Sequence, residues 1–173
     1  MSDGARVAVP LAERRVDLLF IGFFVLNLAV ITYVIDLEQL VVADPSHFTY
    51  PAWPPAFMID ATHWWGRNFD ACLMARPMWW KMTIWIDVLL FGPFYAAAIW
   101  AYTTGREWIR IPSVIWASVM MTNVTIILGE EFFGTTPTPA AGSMLLANAP
   151  WFLFPILVLW RLGWTEHPFT RPR

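Results

Sequence analysis

Residues 79–103 read WWKMTIWIDVLLFGPFYAAAIWAYT. An apolar stretch of this length matches the ~20 residues with which an α-helix, rising about 1.5 Å per residue, crosses the hydrocarbon core of a bilayer. It holds one carboxylate, Asp87. At the centre of a spanning helix such a group costs about 3 kcal/mol unless it faces protein or water. Asp87 is therefore the first candidate functional residue, and the other segments are read by what they bring towards it.

The composition agrees with lipid as the solvent. The 173 residues are 58% apolar and 17% aromatic but only 14% charged, against about 25% charged in soluble domains. This length indicates one domain, residues 1–173. A net charge of -2 without a basic run argues against nucleic acid as a partner. Cys72 is the single cysteine, which excludes an intramolecular disulfide and argues against a cysteine metal site. His47, His63 and His167 lack ligand spacing, so neither a metal nor a cofactor is expected.

Outward from that stretch, the sequence predicts an all-α bundle of four transmembrane helices, over about 16–36, 79–103, 108–129 and 144–162, with an intramembrane ligand pocket. The first apolar run is too long for a signal peptide and has no small-residue cleavage site, so it reads as a retained helix. Residues 37–78 read as a long outer loop, since prolines such as Pro45, Pro51, Pro54 and Pro55 exclude a continuous membrane helix. Its tryptophans and tyrosine suit the headgroup level. Arg6, Arg14, Arg15, Arg106, Arg110, Arg161, Arg171 and Arg173 fall at the end of the bundle that carries the termini, and only Arg67, Arg76 and Lys81 at the other. That asymmetry predicts cytoplasmic termini.

Polar residues converge in the outer half of this bundle. Asp87 lies roughly 12 Å below the outer end of its helix and Asn123 roughly 9 Å below the end of the next. Asn148 sits about one turn into the last helix, and Asp36 closes the first at the same level. At helical spacing Thr83, Asp87 and Phe91 share one face, and Trp116, Met120, Asn123 and Glu130 another. Asn148 and Trp151 share a third face, and Tyr33 and Asp36 a fourth. Asn27, nine residues before Asp36, falls about half a revolution away and stands apart. An aromatic-walled cavity with a few fixed polar groups is the usual form of a small-molecule site. Aromatic stripes also serve packing, the asparagines also serve as hydrogen-bond glue between helices, and Asp70, His47 and His63 read as surface residues of the loop.

The residues also resemble a family. Ile35-Asp36-Leu37 ends the first helix, Asp70 is followed by Pro77 and Trp79, and Asp87 precedes Pro93-Phe94. Trp108-Ile109-Arg110-Ile111-Pro112 opens the third helix, and Ala149-Pro150 with Pro155 marks the last. In this order and spacing the chain is similar to EXPERA-domain proteins, which include emopamil-binding protein, a sterol isomerase, and the sigma-2 receptor (transmembrane protein 97). The resemblance implies an occluded pocket opening sideways to the membrane. It implies that Asp36 and Asp87 meet a basic amine, that sterols enter the same cavity, and that Asp70 is structural. Asn148-Ala-Pro-Trp151 matches the isomerase branch. The His and Glu that this branch carries four residues apart on its first helix are replaced here by Asn27 and Ile31.

Two functions stand side by side. One is an isomerase or cyclase acting on a sterol, terpenoid or similar lipid through a carbocation. Asp87, deeper in lipid, would then carry the proton as acid, and Asp36, nearer water, would act as base. Trp116 and Trp151 would face the positive charge. The other is a non-catalytic binder of sterols or lipophilic amines. Both need only a lipophilic small molecule and membrane lipid as partners, and the bundle's faces allow a homodimer.

Overall fold

The computed structural model describes residues 6–173. Four long helices, α1 (Arg15–Val41), α4 (Met78–Thr104), α5 (Glu107–Phe133) and α6 (Ala141–Gly163), are each long and apolar enough to cross a membrane. Between α1 and α4 lie two shorter helices, α2 (Ala56–Phe69) and α3 (Ala71–Ala75). The long helices pack chiefly α1 on α4 and α5 on α6. Their outer flanks present Leu19, Leu89, Ile115 and Leu146, a surface suited to lipid chains. Inside, Phe20, Phe23, Phe24, Tyr95, Tyr102 and Trp116 form a buried aromatic core. It fills the half of the bundle nearer the termini.

That end is sealed. Strand β1 (Arg6–Ala8) pairs antiparallel with β2 (Thr170–Pro172), Val7 opposite Arg171. Beneath them buried Arg14 pairs with buried Asp17, and Arg161 Nε lies 3.3 Å from the same carboxyl. Arg14 Nη2 also donates to the Tyr102 carbonyl at 2.8 Å. Gly105 ends α4 in the left-handed region at φ 67°, which a residue with a side chain adopts only at a cost. A Cβ there would also come within 3.1 Å of Ala8.

Two of the spanning helices are not α-helical throughout. Helix α1 turns π-helical over Asn27–Asp36 and resumes α geometry at Leu37. Helix α4 does the same over Asp87–Phe91. In α4 the cause is local. Pro93 has no N–H to donate one turn back, and its ring crowds the preceding turn. The Gly92 N–H therefore reaches five residues back to the Asp87 carbonyl, which leaves the Val88 carbonyl without its helical donor. Tyr33, from the π segment of α1, donates its hydroxyl to that carbonyl at 3.3 Å. The two π segments pack on each other, and Gly92 leaves room for the phenol: a Cβ there would overlap Tyr33. Replacing Gly92 by valine should cost about 1–3 kcal/mol through overpacking, read as a fall in Tm in detergent. An unchanged Tm would mean that this seam can open without cost.

The stretch expected as an open outer loop is largely helical. Helix α1 runs on past Asp36 to Val41, and α2 and α3 fill most of the remainder. The prolines that argued for a loop, Pro45, Pro51, Pro54 and Pro55, all precede Ala56, so α2 itself is free of them. Helix α2 buries Ile59, Thr62, His63 and Gly66, the i, i+3, i+4, i+7 stripe of a helix lying on a core. Phe57 faces outward, and Trp64, though exposed, borders the cavity mouth. Together α2 and α3 form a roof over the end of the bundle away from the termini.

The roof is fastened by a buried charged clasp. Arg76 holds φ 48° at the end of α3 and donates through Nη2 to both Glu38 oxygens, at 3.0 and 2.8 Å. It donates further to the Val42 carbonyl at 2.5 Å and the Leu73 carbonyl at 3.0 Å. His63 Nε2 lies 2.8 Å from Glu38 Oε1. His63, expected at the surface, is thus 1% exposed. It ties α2 to the last turns of α1.

Candidate functional site

Between the roof and the aromatic core lies a cavity of about 490 Å³, within the roughly 300–1,000 Å³ of ligand pockets. Its wall is mostly apolar. Helix α1 contributes Ile31, Ile35, Asp36 and Gln39, and α4 contributes Trp80, Thr83, Asp87 and Phe91. Met120 and Asn123 of α5 and Asn148 and Trp151 of α6 complete the far side, while Trp64, Trp65 and Asp70 come from the roof.

Most of the residues singled out in the sequence therefore share one cavity: Asp36, Asp87, Thr83, Phe91, Met120, Asn123, Asn148 and Trp151. Asp70 lines it as well. Tyr33, Trp116 and Glu130 do not. Tyr33 is spent in the seam between the two π segments. Trp116 belongs to the core beneath the cavity, stacked on Phe94 with centroids 5.4 Å apart, and its indole N–H points to Tyr95 Oη at 3.3 Å. Glu130 turns away and caps its own loop, accepting from the Thr135 and Thr136 N–H groups at 2.6 and 3.0 Å. A helical stripe shows which residues share a face, but not where along that face the cavity ends.

At the centre of the wall the Asp36 and Asp87 carboxyls lie against each other. Asp36 is not the solvated helix end that its position suggested. Because α1 continues to Val41 and the roof covers it, Asp36 is enclosed within the cavity. Donors gather on its partner instead. Tyr95 Oη points to Asp87 Oδ1 at 3.5 Å, and the hydroxyl of fully buried Thr32 lies near the same carboxyl, although Thr32 Oγ1 and Asp87 Oδ2 are both without a hydrogen-bond partner among the described residues. Among the described residues no arginine, lysine or histidine forms an ion pair with either aspartate. Two adjacent carboxyls in an apolar wall repel each other unless a proton or a cation is shared between them.

The other polar groups are set differently. The Trp80 indole N–H donates to Gln39 Oε1 at 2.5 Å. Asn148 Nδ2 turns back to the Met144 carbonyl at 3.0 Å. Asn123 makes no side-chain hydrogen bond among the described residues, so its amide is free to meet a ligand. Trp151 donates its indole N–H to Asn27 Oδ1 at 2.7 Å, which fixes the ring against the cavity floor. Asn27, expected to stand apart from the cavity faces, does not line the cavity, but it does not lie on the opposite side of α1. A π-helix advances less than the α-helix's 100° per residue, so nine steps through the π segment return Asn27 to the interior, where it is fully buried.

At the cavity's roof end Asp70 caps α3, its Oδ1 accepting the Leu73 N–H at 2.8 Å. Burial raises the Asp70 carboxyl above the ordinary carboxylate range. Against it lies Glu131 of α5, 1% exposed. The neighbouring Cys72 thiol, bonded to Thr136 Oγ1 at 3.0 Å, is pushed by burial up to about 11. It therefore stays protonated at neutral pH and inert as a nucleophile.

Sequence reasoning missed Tyr95 and Gln39. Tyr95 was within reach, as the next step of four after Thr83, Asp87 and Phe91. Gln39 joins the cavity only because α1 continues past Asp36 beneath the roof.

Comparison with known proteins agrees with this architecture. The model of the EXPERA family, the expanded EBP superfamily, matches residues 57–162. Sigma intracellular receptor 2 of Xenopus tropicalis is 29% identical over 162 residues, covering 87% of this chain and 90% of the relative. The Macaca fascicularis and Homo sapiens receptors of the same name are 26% and 25% identical over 167 residues, each covering 88% of this chain and 90% of the relative. With its four spanning helices, the chain is an integral membrane protein.

Proposed function

Because the chain belongs to the EXPERA family, we propose that its cavity takes a sterol- or isoprenoid-sized lipophilic molecule and that Asp36 and Asp87 receive positive charge on it. The observation that carries this reading is the contact of two carboxyls, with no protein cation beside them, in an aromatic-lined pocket. A protonated amine placed there would supply the missing cation. Asn123 and Asn148 would orient the ligand's polar groups, with Thr83, Phe91 and Met120 packing on its apolar body. Trp151, held by Asn27, would offer a π face to the cation. Asp70 serves in this reading as the cap that shapes the roof, and the termini lie on the cytoplasmic side.

A second reading, proton transfer by an isomerase or cyclase, is favoured by the inequality of the two carboxyls. Hydrogen-bond donors favour an ionised carboxylate, and here they converge on Asp87. Asp87 would then be the base and Asp36 the proton donor, the reverse of the assignment by depth. The donor would protonate a double bond of the substrate, and the base would remove a proton from the resulting carbocation. The whole chain would work as one membrane unit in either case.

Mass spectrometry of the lipid that co-purifies with wild type and with Asp87→Asn, after incubation in deuterated water, separates the two readings. Deuterium gained by the wild-type lipid and not by the variant's establishes proton transfer. The same unlabelled lipid in both leaves a binder.

A further inference from the structure

Resting on the acid–base reading of the Asp36–Asp87 pair, we propose that Asp70 and Glu131 form a proton port connecting this pair with water at the roof end. The observation behind it is a second carboxyl contact that the site does not explain. Glu131 is 1% exposed, yet neither of its side-chain oxygens has a hydrogen-bond partner among the described residues. Its side chain meets Asp70, and Asp70 lines the cavity that Asp36 and Asp87 also line.

Structural need alone accounts poorly for this arrangement. Helix α3 is capped by Asp70 Oδ1, and the seam to the α5–α6 loop is held by Thr138 Oγ1 donating to the Phe69 carbonyl at 2.6 Å. The Glu131 carboxyl serves neither bond. The groups facing Glu131 are Asp70, Glu130 and the Cys72 amide and thiol, and among the described residues none of the ion pairs includes Asp70 or Glu131. Two carboxyls in contact without a cation share a proton, and a shared proton can be passed on.

Two other directions are occupied. Towards the termini the cavity is floored by Trp116 and its aromatic neighbours, and the charges beyond, Arg14, Asp17 and Arg161, are paired with one another. Glu38 is held by Arg76 and His63. On the far side of Glu131 the polar atoms continue outward, from Cys72 Sγ to Thr136 Oγ1 at 3.0 Å and on to Glu130 Oε1 at 3.1 Å. Glu130 also holds the Thr135 hydroxyl at 2.9 Å at the exposed surface. A proton taken from water by Glu131 releases the one held by Asp70 into the cavity, where Asp36 or Asp87 accepts it. The reverse sequence returns a proton to water. The port's charge is the same before and after, and no other reactant is consumed.

Infrared spectroscopy of the protein in lipid nanodiscs tests this without turnover. The C=O band of the protonated central pair is identified by its loss in Asp87→Asn, and its downshift is timed after transfer to deuterated water. In Glu131→Gln the exchange should slow at least tenfold while Tm and lipid content stay as in wild type. Asp70→Asn, which preserves the cap because asparagine caps as well as aspartate, should slow it equally. Equal exchange rates in wild type and both variants, with the band present, overturn the port and leave the acid–base reading intact. Absence of any protonated-carboxyl band belonging to Asp36 or Asp87 overturns the acid–base reading and the port with it.

Discussion

Asp36→Asn and Asp87→Asn should each weaken binding of a protonated lipophilic amine by about 30-fold or more, measured by competition in detergent. The magnitude follows from the setting. Removing one partner of a buried, hydrogen-bonded charge pair costs about 2–5 kcal/mol, and each 1.4 kcal/mol is about tenfold in affinity. A neutral ligand of the same shape should lose far less, since the apolar wall of Ile35, Phe91 and Trp151 is untouched. The two variants need not be equal. Asp87 keeps the Tyr95 and Thr32 hydroxyls beside it, and an asparagine there offers its oxygen to those donors, so the local structure should survive. Equal affinity of both variants and wild type for the amine would remove the carboxyl pair from the binding account.

The other large effect concerns the roof. Arg76→Met should destabilise the protein by about 3–5 kcal/mol, because it leaves Glu38, 1% exposed, as a charge without its cation. Local proteolysis within residues 42–78 and the fall in Tm would both report it. The double variant Glu38→Gln with Arg76→Met removes both charges and should recover a large part of the loss, since the penalty lies in the stranded charge more than in the lost attraction. If the double variant is as unstable as the single one, the clasp acts through the Arg76 bonds to Val42 and Leu73 rather than through its charge.

The four spanning helices were legible because lipid imposes a simple rule. Every backbone polar group must be satisfied within the helix, and apolar side chains must cover about 30 Å. Asp87 was legible for the complementary reason, that a carboxylate in such a stretch needs a purpose. Asn123, Asn148 and Trp151 followed from helical spacing alone, and the structure brings them to the cavity that holds Asp87.

Trp116 and Glu130 lie on the same helix as Asn123, yet one is in the aromatic core and the other caps a loop. Periodicity reports direction around a helix axis but not the depth at which packing stops. Asn27 stays out of the cavity lining, yet it is buried beside Trp151 and not half a revolution away, because counting at 100° per residue assumes an unbroken α-helix.

What the sequence by itself determined is the membrane bundle and one side of its site, since hydropathy and spacing act within single helices. Only the tertiary structure decided that a helical roof covers Asp36, that Tyr33 is used between helices, and that Glu131 meets Asp70. Those outcomes depend on contacts between segments far apart in the chain. Pro93 diverts one backbone bond, Gly92 leaves room for a phenol from α1, and Arg76 joins the end of α3 to Glu38. The last two are pairings that no single stretch of sequence contains.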